Sequence, residues 1–95
     1  MEILKPYRAR IDALDAQIID LLRARYDVIE EVAELKAREG IPCTIPSRVD
    51  EVRENAIAMA AEKSLDSEFI GKLYQQLIDH SCALEETYKA EKKSA

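Results

Sequence analysis

The feature that most constrains how this chain can fold is an unbroken helical stripe running from Pro6 to Glu39. Ile11, Leu14, Ile18, Leu21, Leu22, Val28, Ile29, Val32 and Leu35 recur at helical spacing, while Asp12, Asp15, Gln17, Asp20, Arg23, Glu30 and Glu34 fill the other face. Pro6 suits a first helical turn, and Gly40 followed by Pro42 ends the pattern. Roughly 34 residues at a 1.5 Å rise make a rod of about 50 Å, whereas a compact chain of this size has a radius of gyration of about 12 Å. No internal proline or glycine marks a break in the rod. One copy of the chain cannot cover such a stripe, so two copies are expected to pair their long helices in an intertwined homodimer.

The remaining sequence supplies two more helices. Pro46 or Ser47 opens the second, whose inner face holds Val49, Val52, Ala56, Met59 and Ala60 and which stops near Lys63. Asp66 is a good N-cap for the third, with Phe69, Ile70, Leu73, Tyr74, Leu77, Ile78, Leu84 and Tyr88 on one face. That helix is expected to run to about Lys89 and to leave the tail EKKSA frayed. The fold class is therefore all-α, a three-helix chain with a long first helix, forming one domain over residues 1–95.

A formal charge of -5 argues against nonspecific binding to nucleic acid or anionic membranes, since no basic field recruits them. No apolar run approaches the roughly 20 residues that span a bilayer, and Met1 to Arg10 lacks the apolar core of a signal peptide, which points to the cytoplasm. Cys43 and Cys82 lie far apart with only His80 to join them, and are expected to be unpaired thiols rather than metal ligands. No motif for a cofactor is present, and none is expected.

Against this background, Arg25 and Lys36 break the pattern. At about 100° per residue both fall within roughly 40° of Ile11 and Ile18, near the middle of the apolar stripe, and so point inward about three turns apart. A buried cation without an anionic partner is costly, so each requires a carboxylate from the protein or from a ligand. Helix three offers Ser81 and Glu85, an i, i+4 pair on the side of Leu77 and Tyr88. Glu85 suits either a ligand contact or simple pairing with a cation, and a buried serine often just bonds the carbonyl one turn back. Arg48 sits in the first turn of helix two, where a cation opposes the helix dipole. Arg8 precedes Arg25 by about 25 Å along the same helix. It reaches a site built on Arg25 and Lys36 only from the neighbouring chain of an antiparallel dimer, and by its own position reads equally as an ordinary solvated arginine.

These residues, in this order and spacing, resemble the AroQ-type chorismate mutases. The likeness runs through YRARIDALDAQIIDLLRARYDVIEEVAELKA, IPSRVDEVRENA and LDSEFIGKLYQQLIDHSCALEE. It implies a small helical protein forming intertwined dimers that rearranges chorismate to prephenate in aromatic amino acid biosynthesis, without metal or cofactor. It further implies that Arg8 crosses to the partner's site, Arg25 binds a substrate carboxylate, and Lys36 approaches the ether oxygen of the breaking bond. Arg48 would support the carboxylate end, and Ser81 would add a polar contact. Val49 stands where many relatives carry a glutamate for the ring hydroxyl. Glu85 stands where many carry a glutamine that donates to the ether oxygen, and a carboxylate can donate only when protonated. Burial favours its neutral form and the neighbouring cations favour its charged form, so the sequence leaves the outcome open.

An intramolecular rearrangement needs restraint of a flexible substrate and donors aimed at the oxygen that gains charge. On this resemblance Arg8 and Arg25 give the first, Lys36 and Glu85 the second. Isochorismate pyruvate lyase and 4-amino-4-deoxychorismate mutase remain open on the same scaffold, and Val49, in place of the glutamate for the ring hydroxyl, keeps both open. A noncatalytic helical dimer or regulatory module is a further alternative.

Overall fold

A computed structural model describes residues 1–94 of the chain, and among them it contains three α-helices and no strand. Helix α1 spans Lys5–Glu39 behind a 3-10 turn at Glu2–Leu4, α2 spans Pro46–Glu62, and α3 spans Ser67–Ser94. The first two follow the sequence signals closely. The third is longer than expected: Ala90, Glu91, Lys92 and Lys93 are all good helix formers and no glycine or proline stops them, so the helix continues beyond Lys89 to Ser94. Of the tail predicted to fray, only Ala95 lies outside the described residues.

Each helix end has a local cause. At the end of α1, Gly40 adopts φ 68°, ψ 28°, and the Ile41 N–H donates to the Lys36 carbonyl at 2.9 Å. An L-residue in that left-handed conformation costs about 1 kcal/mol, which explains the glycine. At the end of α2 the same geometry falls on Ser64, with φ 57°. There the Ser64 N–H donates to the Ala61 carbonyl at 3.2 Å and the Leu65 N–H to the Ala60 carbonyl at 2.8 Å, closing a Schellman motif without a glycine. Asp66 then caps α3, its Oδ1 accepting from the Phe69 N–H at 3.0 Å.

Helices α1 and α2 each pack on α3 and not on one another. Arg53 helps fasten α2, donating to Gln75 on α3 at 2.8 Å and to Asp50 at 2.9 Å. Close approach of the same helices is permitted by Gly71, where a Cβ would lie 3.2 Å from the Ile57 side chain. The buried apolar residues are small, Ala33, Ala56 and Ala60, and no large side chain is fully buried among the described residues. With extents of 56 × 28 × 16 Å and a radius of gyration of 17.1 Å, the chain is far more elongated than a compact one of its length. The amino-terminal half of α1 has no cover within the chain: Ile11, Ile18 and Leu21 are 56%, 54% and 70% exposed. No helix among the described residues is long and apolar enough to cross a membrane.

Candidate active site

Because α1 and α2 both lean on α3 without meeting, a cleft of about 240 Å³ opens between them. Arg25, Ile29, Val32 and Lys36 line it from α1, Cys43 and Ile45 from the connecting loop, Arg48, Val49 and Val52 from α2, and Ile78, Ser81, Cys82 and Glu85 from α3. Six of the seven residues singled out in the sequence thus gather in one place. Arg8 does not. It lies near the amino terminus of α1 beside Met1, Glu2, Lys5 and Asp12, 17 residues and about 25 Å of helix before Arg25.

Lys36 and Glu85 form the most buried charged pair in the cleft. Nζ of Lys36 stands 3.1 Å from Oε1 of Glu85, with side-chain exposures of 17% and 7%, and also donates to the Cys43 carbonyl at 3.3 Å. The placement follows from register, since Lys36 is on the inward stripe of α1 and Glu85 on the facing stripe of α3. Each neutralises a charge that would be costly to bury alone. Glu85 therefore has the ion-pairing partner that the sequence allowed for, within reach of whatever occupies the cleft.

Arg25 is held differently. Its Nη1 donates to Ser81 Oγ at 3.3 Å, while Ser81 donates its own proton to the Leu77 carbonyl at 2.7 Å. The serine thus bonds back one turn, as buried serines do, and uses a lone pair to orient the guanidinium. No carboxylate of the described residues forms an ion pair with Arg25, although it is half-buried. A fixed guanidinium without a counter-ion, set over apolar walls, suits a carboxylate from outside.

Arg48 borders the cleft with an exposed side chain and pairs with Glu51 one turn along α2. That local pairing, rather than a contact with Arg25 or Lys36, is what it makes in this structure. Val49, half-buried beside Val52 and Ile45, gives this end of the cleft an apolar wall.

The cysteines depart from expectation. Cys43 and Cys82 are not separate thiols: their sulfurs are joined, with Cα atoms 5.3 Å apart. Although 39 residues separate them, the loop after α1 folds back onto α3 and brings Cys43 against Cys82. Thr44 Oγ1 lies 3.3 Å from Cys82 Sγ. The ligand-type atoms of Cys43, Cys82 and Glu85 fall within 4.8 Å of one another, but as arranged the sulfurs bond each other and Glu85 pairs with Lys36. The signal for the cysteines' presence at the site was available, because Cys82 directly follows Ser81 and sits three residues before Glu85. The apolar walls Ile29, Val32, Val52 and Ile78 were legible only as helix stripes.

Most of the chain aligns with known proteins. A 4-amino-4-deoxychorismate mutase of Streptomyces venezuelae is 37% identical over 83 residues, covering 87% of this chain and 81% of the relative. Another from Streptomyces pristinaespiralis is 36% identical over 87 residues, covering 92% and 67%. A chorismate mutase of Methanocaldococcus jannaschii is 32% identical over 91 residues, covering 96% and 92%. Residues 7–86, which take in every residue of the cleft, match the family chorismate mutase type II, and the chain belongs to that family.

Proposed function

We propose that the chain is an isomerase that rearranges chorismate to prephenate, and that it does so as an intertwined homodimer whose sites each take Arg8 from the partner. The observation that carries this reading is the presence of two differently held cations in one cleft: Arg25, oriented by Ser81 and without a carboxylate partner among the described residues, and Lys36, paired with the buried Glu85. The two cations have different tasks. Arg25 holds a substrate carboxylate and so restrains the flexible side chain in a reactive shape, which removes much of the entropic barrier of an intramolecular step. Lys36 aims its N–H groups at the ether oxygen, where negative charge grows as the carbon–oxygen bond breaks. Arg48 gives up Glu51 for the carboxylate end, and Ser81 adds a polar contact.

Association of two copies is supported by the uncovered stripe of Ile11, Leu14, Ile18 and Leu21 on α1, together with exposed Phe69 and Leu73 on α3. Pairing the long helices antiparallel covers the stripe and brings each Arg8 toward the other chain's Arg25. We assign the dimer to the cytoplasm and regard residues 1–95 as one domain.

In this reading Glu85, 3.1 Å from Lys36 Nζ, stands at the ether oxygen beside that lysine. Glu85→Gln places an amide donor at the same position, and its kcat is expected to match or exceed that of the parent protein. A large fall of kcat in Glu85→Gln would reduce Glu85 to an ion-pair partner for Lys36.

A second substrate has specific support. Val49 offers no polar contact to the ring substituent, and two of the relatives bear the name 4-amino-4-deoxychorismate mutase. The amino analogue is therefore the alternative to chorismate. Measuring kcat/KM with each compound on the purified protein tests both readings, and absence of turnover with chorismate would overturn the first.

A further inference from the structure

We propose that Cys43 and Cys82 form a reversible redox pin that sets how tightly the cleft holds its ligand. Three observations lead there. Their Cα separation of 5.3 Å lies within the range that a disulfide spans without backbone movement. Both residues line the cleft itself and are partly accessible, so a small reagent can reach them. Cys43 belongs to the short loop between α1 and α2, whose position controls two parts of the site at once: the Cys43 carbonyl accepts from Lys36 at 3.3 Å, and the chain a few residues further on carries Arg48 and Val49.

The two ends of the bridge belong to differently anchored parts. Cys82 is one residue from Ser81 on α3, and α3 is the helix against which both others pack. Cys43 is on a loop outside the helices. The body of α2 packs on α3 through Ala56, Ala60 and the Arg53–Gln75 bond, whereas the loop ahead of it is joined to the α3 wall of the cleft by this link and by the contact of Thr44 with Cys82. With the bond closed, Arg48 and Val49 keep a fixed position relative to Arg25 and Ser81. With the bond open, the loop must be ordered at the moment of binding, and affinity falls by the cost of that ordering.

The chemistry balances with a low-molecular-weight disulfide as oxidant. One cysteine thiolate attacks it, breaking its sulfur–sulfur bond and expelling one small thiolate; the second cysteine then attacks the mixed disulfide and expels the other. The chain loses two thiol protons and two electrons, and the oxidant becomes two small thiols that carry both. A dithiol reductant reverses each step. In a reducing compartment the pair rests open, and closes as the surroundings become oxidising.

The effect on binding rests on the mutase reading; the bond itself does not, and the test separates them. The full chain is equilibrated in mixtures of oxidised and reduced glutathione, its free thiols are counted under denaturing conditions, and KM and kcat for chorismate are measured in each state. Expected are two thiols per chain at the reducing end and none at the oxidising end, with a KM on the order of three- to tenfold higher in the reduced protein and kcat nearly unchanged. Cys43→Ser and Cys82→Ser should each show the higher KM under all conditions, and melting curves confirm that they fold. Two free thiols at the oxidising end, or equal KM in both states, would overturn the proposal. If neither state turns over chorismate, the mutase reading fails, and the thiol count together with proteolysis of the loop in each state still decides the pin.

Discussion

Replacing Lys36 by alanine is expected to lower kcat by roughly a hundred- to a thousandfold while the protein keeps its helical structure, because in the proposed reaction the loss falls on a donor that works mainly as charge develops on the ether oxygen. Comparison of kcat with helical content by circular dichroism is the direct measurement. The obvious objection is stability. Lys36 is the partner of a carboxylate that is only 7% exposed, and stripping a buried pair of one member commonly costs about 3 to 5 kcal/mol. A second variant removes the objection. Lys36→Ala combined with Glu85→Gln no longer buries an unpaired charge, so it should recover much of the melting temperature lost in the single variant. It should recover none of the turnover. Near-normal activity in Lys36→Ala would remove Lys36 from the reaction and leave the pair as a structural contact.

The second large effect concerns a residue outside the cleft. Arg8→Ala should reduce turnover about a hundredfold although Arg8 lies about 25 Å from Arg25 in its own chain, since in the proposed dimer the arginine acts in the partner's site. Mixing makes the test sharp. Arg8→Ala and Lys36→Ala homodimers are each nearly inactive, but a mixed dimer has one site in which an intact Lys36 meets an intact Arg8 from the other chain. Unfolding and refolding the two together in equal amounts should restore about a quarter of wild-type activity, because half the dimers are mixed and each has one working site. No recovery on mixing, with dimers demonstrably exchanged, would mean that Arg8 does not cross between chains.

The sequence revealed the helices where strong local signals coincide. Pro6 and Gly40 bracket α1, Pro46 opens α2, and Asp66 caps α3 through the bond to the Phe69 N–H. It was silent where a fold overrides preference: Ser64 takes the left-handed conformation that a glycine would have announced. The continuation of α3 past Lys89, by contrast, is carried by the helix formers Ala90 to Lys93. At the site, inward placement of Arg25, Lys36, Ser81 and Glu85 could be computed from periodicity alone, because a helix fixes the direction of every side chain along it. Which charges pair could not. The Lys36–Glu85 contact joins residues of two helices, the Cys43–Cys82 bond joins a loop to a helix, and both depend on the angle at which elements pack. The Arg48–Glu51 pair, by contrast, was readable as an i, i+3 neighbourhood within α2.

The bare stripe along the first half of α1 bears on how such a catalyst behaves when it is scarce. If, as proposed, each site takes its Arg8 from another molecule, the complete catalytic unit exists only after two chains have met. Activity per chain is then not a constant of the protein but a function of its abundance, rising steeply around the concentration at which the chains associate. Synthesis of the chain beyond that level would switch flux on more sharply than in proportion to the amount made.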